Sequence, residues 1–108
     1  MYDRAMPDQQ ERTGGAVKEK TEIRNQEPVQ YKVVLLNDDY TTMEFVVLVL
    51  ESVFLKSPAE AFRVMMQVHQ SGRGLAGVYP WELAETKVET VTTLAREAGY
   101  PLKATIED

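Results

Sequence analysis

Apolar residues along this chain gather into short blocks separated by polar turns, and the spacing inside each block predicts an element. Tyr31-Lys32-Val33-Val34-Leu35-Leu36 is short, β-branched and closed by the polar Asn37-Asp38-Asp39, which predicts a buried strand. From Met43 to Leu55, Val and Leu are so frequent that propensity alone would favour a strand. On a helix, however, Met43, Val46, Val47, Leu50, Val53 and Phe54 share one face while Glu44, Glu51 and Ser52 share the other. A period of two would scatter the glutamates, so the helix is preferred. Leu48 and Leu55 fall on its polar side with no core-packing reason. Thr41 and Glu44 have the spacing of a capping box, which predicts Thr41 as the cap.

Ser57-Pro58-Ala59-Glu60 combines a capping serine, a proline at the first helical position and a first-turn glutamate, a strong start for a second helix. This helix should run to about Ser71 and stop at Gly72, with Ala61, Phe62, Met65, Val68 and His69 on one face. Gly72-Arg73-Gly74-Leu75-Ala76-Gly77 spells the dinucleotide-binding pattern, but that pattern needs a strand before it and a helix after it. Here a helix precedes and an expected strand, Leu75–Tyr79, follows, so the glycines read as a flexible connection. Pro80 opens a third helix with Glu82 in its first turn and Ala84, Val88, Val91, Ala95 and Ala98 as its buried stripe. Gly99 and Pro101 end it, and Leu102-Lys103-Ala104-Thr105-Ile106 alternates like an edge strand. The order β-α-α-β-α-β predicts an α+β fold, a small α/β sandwich with a three-stranded antiparallel sheet packed on three helices.

Composition narrows the chemistry. With 108 residues the chain has room for one modest core. Cysteine is absent and histidine occurs once, so thiol nucleophiles are excluded and a zinc site would have to be built almost wholly from carboxylates. No metal or other cofactor is expected. A net charge of −5 argues against a nucleic-acid partner, which a basic patch would have to attract. No run is apolar enough to span a membrane and no secretion signal opens the chain, which points to the cytoplasm. The first 30 residues hold five Lys/Arg and six Asp/Glu but few large apolar side chains. Residues 1–28 are therefore expected to be a disordered extension, and 29–108 the folded domain.

Asn37-Asp38-Asp39-Tyr40-Thr41 is where site chemistry is expected. Asx residues at such a turn commonly bond their own backbone, which is one reading of the motif. The other is functional: carboxylates and an amide oxygen beside an apolar cavity suit a ligand with a positive charge next to a greasy group, such as the N-terminus of a peptide. A lone histidine on an apolar helix face, as His69 is, is more often a core residue with one satisfied hydrogen bond than a ligand contact.

Taken together, these residues resemble the ClpS family, adaptors that hand N-degron substrates to the AAA+ unfoldase ClpA. The resemblance runs from about Val29 to Glu107. It is carried by Tyr31–Thr41, by Met43-Glu44-Phe45-Val46, by Val68-His69 before Gly72 and Gly74, by Gly77-Val78-Tyr79, by Ala84-Glu85-Thr86-Lys87 and by Pro101-Leu102. It implies a hydrophobic pocket for a bulky first residue, Leu, Phe, Tyr or Trp. Asn37, Asp38 and His69 would bind the substrate's α-amino group, and Asp39 and Thr41 would shape the entrance. Met43, Val46, Met65 and Leu102 would line the pocket, with Met43 as the gate against β-branched residues. Glu82 and Lys87 match positions that dock on the N-domain of ClpA or a related unfoldase. Relatives use the N-terminal arm during delivery. Thr42 and Pro80 stand where many relatives carry proline and threonine.

Two other functions compete with the adaptor. An enzyme would use His69 as base with Asp38 or Asp39 orienting it, but no nucleophile is recognisable, so the chain is read as non-catalytic. A structural interaction module, similar in fold to the C-terminal domain of the ribosomal stalk protein, would not need Asn37 and His69 to face one cavity.

Overall fold

The computed structural model describes residues 28–108, in which six elements follow one another. These are β1 (Gln30–Leu36), α1 (Met43–Ser52), α2 (Pro58–Ser71), β2 (Arg73–Pro80), α3 (Trp81–Ala98) and β3 (Lys103–Glu107). The order is the predicted one. The expectation for the N-terminal extension falls, as far as residue 27, outside the described residues.

β1 runs down the middle of an antiparallel sheet of order β2-β1-β3. Leu36 faces Arg73 on one side and Lys103 on the other. On the β2 side Val33 faces Gly77 and Val34 faces Leu75, so Ala76 is an extra residue at which the register shifts. Val33 and Leu35, two apart and therefore on one face, are completely buried against all three helices. Val46, Val49 and Leu50 of α1, Ala61, Val64, Met65 and Val68 of α2, and Ala84, Val91 and Ala95 of α3 complete that core.

Four details of phase and boundary differ from the sequence expectation. α1 ends at Ser52, and its buried stripe takes in Val49, which was not assigned to it. In α2 the buried positions are 61, 64, 65 and 68, so Val64 points inward and Phe62 is left 57% exposed. Ala98, in the last turn of α3, is exposed, and Leu94 packs partly against the core in its place. Gly72 and Arg73 are not a loose connection. Gly72 takes the left-handed conformation (φ 87°) as the C-cap of α2, and β2 begins at the next residue. Gly74 is needed for space: a Cβ there would lie 2.6 Å from Val68 Cγ2 and 3.1 Å from the Val64 carbonyl oxygen. A Cβ at Gly77 would run into the Tyr79 hydroxyl end of the ring. The three glycines of the dinucleotide-like spelling thus serve a helix end and two close contacts.

Thr105 Oγ1, on β3, is buried with no hydrogen-bond partner among the described residues. A buried unpaired hydroxyl costs about 1–3 kcal/mol, and valine has nearly its shape with no polar atom. Thr105→Val is expected to raise the unfolding free energy by about 1 kcal/mol in a urea titration. A lower midpoint would show that the hydroxyl has a partner.

Candidate functional site

The turn after β1 is fixed at both ends. At its start the Asn37 N–H donates to the Gly72 carbonyl oxygen at 2.9 Å, which joins the turn to the C-terminal end of α2. Asp38 holds the rest. Its Oδ1 accepts from the N–H groups of Tyr40 (2.8 Å) and Thr41 (2.7 Å), and its Oδ2 accepts from Thr41 Oγ1 (2.7 Å). Burial pushes the Asp38 carboxyl up, but the bonds from the Thr41 backbone and hydroxyl and from the Tyr40 backbone outweigh it and hold its pKa below the ordinary carboxylate value. Because Thr41 spends its hydroxyl on Asp38, the cap of α1 is Thr42, whose Oγ1 accepts from the Phe45 N–H at 3.1 Å. The predicted Thr41–Glu44 capping box is not formed. Asx-turn chemistry and a charged site therefore coexist in one residue: Asp38 organises its own backbone and keeps its negative charge.

Beside this turn lies a cavity of about 270 Å³, walled by Asn37, Asp38, Asp39, Thr41, Met43, Val46, Met65, Val68 and His69. Three segments deliver these residues: the turn brings the polar atoms, the first turn of α1 brings Met43 and Val46, and the last turns of α2 bring Met65, Val68 and His69. Val46, Met65 and Val68 are buried and form apolar walls, whereas Met43 is 41% exposed. His69 is an exposed residue, so it borders the cavity from the surface. The arrangement brings two carboxylates, an amide and an imidazole together with four apolar side chains around one hollow, with no Lys or Arg in its lining. A cationic donor with a hydrophobic appendage complements it.

Eight residues foreseen from the sequence meet at this cavity, and one does not. Leu102 is buried just before β3 and borders a different hollow with Tyr100 and Lys103. Val68 was not foreseen as part of the pocket, although its place one residue before His69 and one turn after Met65 was the available signal. Glu82 is exposed at the start of α3. Lys87 is not a free surface cation: Nζ donates to the Val53 carbonyl oxygen at 2.6 Å and lies 5.5 Å from the Tyr79 ring centroid, securing the C-terminal end of α1. Pro80, the N-cap of α3, makes no side-chain capping bond. A larger groove along α3, about 980 Å³, contains Glu82 and none of the cavity residues. No metal-holding group of His, Asp and Glu, and no helix long and apolar enough to cross a membrane, occurs among the described residues.

Residues 26–105 match the family model described as ATP-dependent Clp protease adaptor protein ClpS. Among curated relatives, the ATP-dependent Clp protease adapter protein ClpS of Desulfatibacillum aliphaticivorans is 52% identical over 101 residues, covering 94% of this chain and 96% of the relative. That of Maricaulis maris is 49% identical over 107 residues, covering 99% and 98%. Among solved structures, Agrobacterium tumefaciens ClpS2 bound to L-phenylalaninamide superposes with a TM-score of 0.72 at 48% identity, covering 75% of this chain and 98% of that one.

Proposed function

We infer the function from one premise, that this chain belongs to the ClpS family, the adaptor proteins of the ATP-dependent Clp protease: it captures the free N-terminal Leu, Phe, Tyr or Trp of a substrate and brings that substrate to a ClpA-type AAA+ unfoldase. The observation that carries this reading is the union of acceptors and apolar walls in one cavity of about 270 Å³. That volume lies just under the range of about 300–1,000 Å³ for sites of drug-sized ligands, so a single terminal residue is the fitting occupant. The ligand of the Agrobacterium relative, an amino-acid amide with a free amine and an aromatic side chain, supports the same chemistry.

Each half of the ligand has its counterpart. An α-ammonium group offers three donors, to be met by Asn37 Oδ1, the Asp38 carboxylate and a neutral His69 nitrogen. An acylated or internal amide offers one donor and adds a chain that the acceptors crowd. Met43, Val46, Met65 and Val68 take the side chain, whose full burial contributes about 1.5–3 kcal/mol. Charge-assisted hydrogen bonds contribute about 1.5–3 kcal/mol each, so both halves are required for micromolar or tighter binding. Asp39 and Thr41 shape the mouth. Glu82 forms the unfoldase contact, and Lys87 supports that face through its bond to Val53.

The test is a calorimetric titration with a peptide beginning in free phenylalanine and with its N-acetylated twin. Binding of the first and no detectable binding of the second is the expected result, because acylation removes the ammonium charge and its extra donors and adds a chain that the acceptors crowd. Equal affinities would overturn the assignment.

A further inference from the structure

The cavity lining holds a reactive sulfur at its surface end. Cysteine is absent, so methionine supplies all the sulfur in the chain and no thiol competes for an oxidant. Three methionines, at 43, 65 and 66, fall among the described residues. They differ in access. Met65 is 4% exposed, Met66 is half-buried against the core, and Met43, the first residue of α1, is 41% exposed. A thioether is oxidised by collision with an oxidant from solvent, so exposure ranks the three and Met43 comes first. Met43 is also the exposed member of the cavity's apolar lining, beside buried Val46, Met65 and Val68.

We propose that Met43 is a reversible oxidation site through which peroxide switches off capture of a peptide N-terminus, an inference that rests on the capture reading above. The thioether sulfur takes one oxygen atom from the peroxide. As the S–O bond forms the O–O bond breaks, and the remaining oxygen leaves with the peroxide's proton as water or an alcohol. Sulfur gives up two electrons and the peroxide gains them. A thiol-dependent methionine sulfoxide reductase reverses the step, releasing the oxygen as water and leaving its own thiols as a disulfide.

The lining explains why the product opposes an apolar ligand. A sulfoxide oxygen is a strong acceptor, and this cavity is already rich in acceptors: Asp38 and Asp39 bring carboxylates, and no Lys or Arg is present to donate. The Thr41 hydroxyl is spent on Asp38. The lining side chains left with a proton to offer are Asn37 and His69, the two proposed to meet the α-amino group. The oxidised side chain therefore either draws on groups that capture needs or is stripped of water, without a partner, by the ligand's Leu or Phe. Either way binding weakens, by about tenfold for one polar group left unpaired.

The full chain is treated with dilute hydrogen peroxide, mapped by peptide mass spectrometry, and titrated by anisotropy with a labelled peptide beginning in free phenylalanine, before treatment, after it, and after incubation with reductases for both sulfoxide epimers. Met43 should gain its oxygen ahead of Met65 and Met66, affinity should fall about tenfold in step with Met43 sulfoxide, and reduction should restore it. Met43→Leu is compared only with its own untreated affinity, which peroxide should leave unchanged although its other methionines still oxidise. Oxidation of Met65 or Met66 ahead of Met43, full affinity with Met43 oxidised, or an equal loss in Met43→Leu overturns the switch. The untreated chain separates the two levels: if it binds the peptide and is indifferent to Met43 oxidation, only the switch fails, whereas if it does not bind, capture fails and the switch with it.

Discussion

Asp38→Ala is expected to weaken binding of a peptide with a free N-terminal phenylalanine by about a hundredfold, measured by calorimetry. Two losses combine. The variant removes the carboxylate proposed to face the ammonium, worth about 1.5–3 kcal/mol as a charge-assisted partner. It also removes the acceptor for Tyr40 N, Thr41 N and Thr41 Oγ1, so the turn that presents Asn37 is no longer held. Asp38→Asn separates the two, because an amide oxygen can still accept from both N–H groups while the charge is gone; a loss of about tenfold is expected. An Asp38→Ala affinity within twofold of the parent would remove Asp38 from the site. The pH dependence has a definite sign. The folded pKa of Asp38 lies below its ordinary value of 3.8, so the stability it lends is fully present above that value and is lost as pH falls through the lower folded pKa. Its charge is therefore in place for the ligand throughout the neutral and mildly acidic range.

Met43→Ala should admit peptides that begin with Val or Ile, raising their affinity by about tenfold or more while costing Leu and Phe peptides little. Met43 lines the cavity and is 41% exposed, which puts it at the surface end of the lining rather than among the buried walls. A β-branched side chain carries its bulk next to the backbone, where it meets that obstacle, whereas Leu and Phe branch farther in. Truncation relieves a steric objection and forfeits little burial. Continued rejection of Val and Ile in a competition assay would place the gate elsewhere.

The elements were legible because their punctuation is local. Ser57 caps α2, accepting from the Glu60 N–H at 3.2 Å, and Gly72 ends it in the left-handed conformation, both as the sequence implies. Rotational phase was harder to read. In Val46-Val47-Leu48-Val49-Leu50 every position is apolar, so composition cannot say which way the helix turns; packing into the core with Val33 and Leu35 decides, and Val49 goes inward. Phe62 and Val64 exchange expectations for the same reason. At the turn, Thr41 and Thr42 are equivalent in propensity, and only the bond to Asp38 selects Thr42 as the cap. The site itself was beyond any local pattern. Asn37 and His69 are distant in the chain and meet because β2 pairs with β1 and Asn37 N–H reaches the Gly72 carbonyl. Resemblance to the family joined them in advance; spacing could not.

Gly74 gives the cavity a second author. It lies on β2, outside the lining, yet it sits directly behind Val68 and leaves that side chain the room to stand where it does. A methyl group added at 74 would have to displace Val68 or the Val64 carbonyl, and the first of these moves toward whatever occupies the hollow. The shape offered to a ligand can thus be redrawn by drift in the sheet, with every ligand-facing residue unchanged. Two homologous chains with identical pocket letters could differ in diet for this reason, and a comparison restricted to contact residues would miss the position responsible.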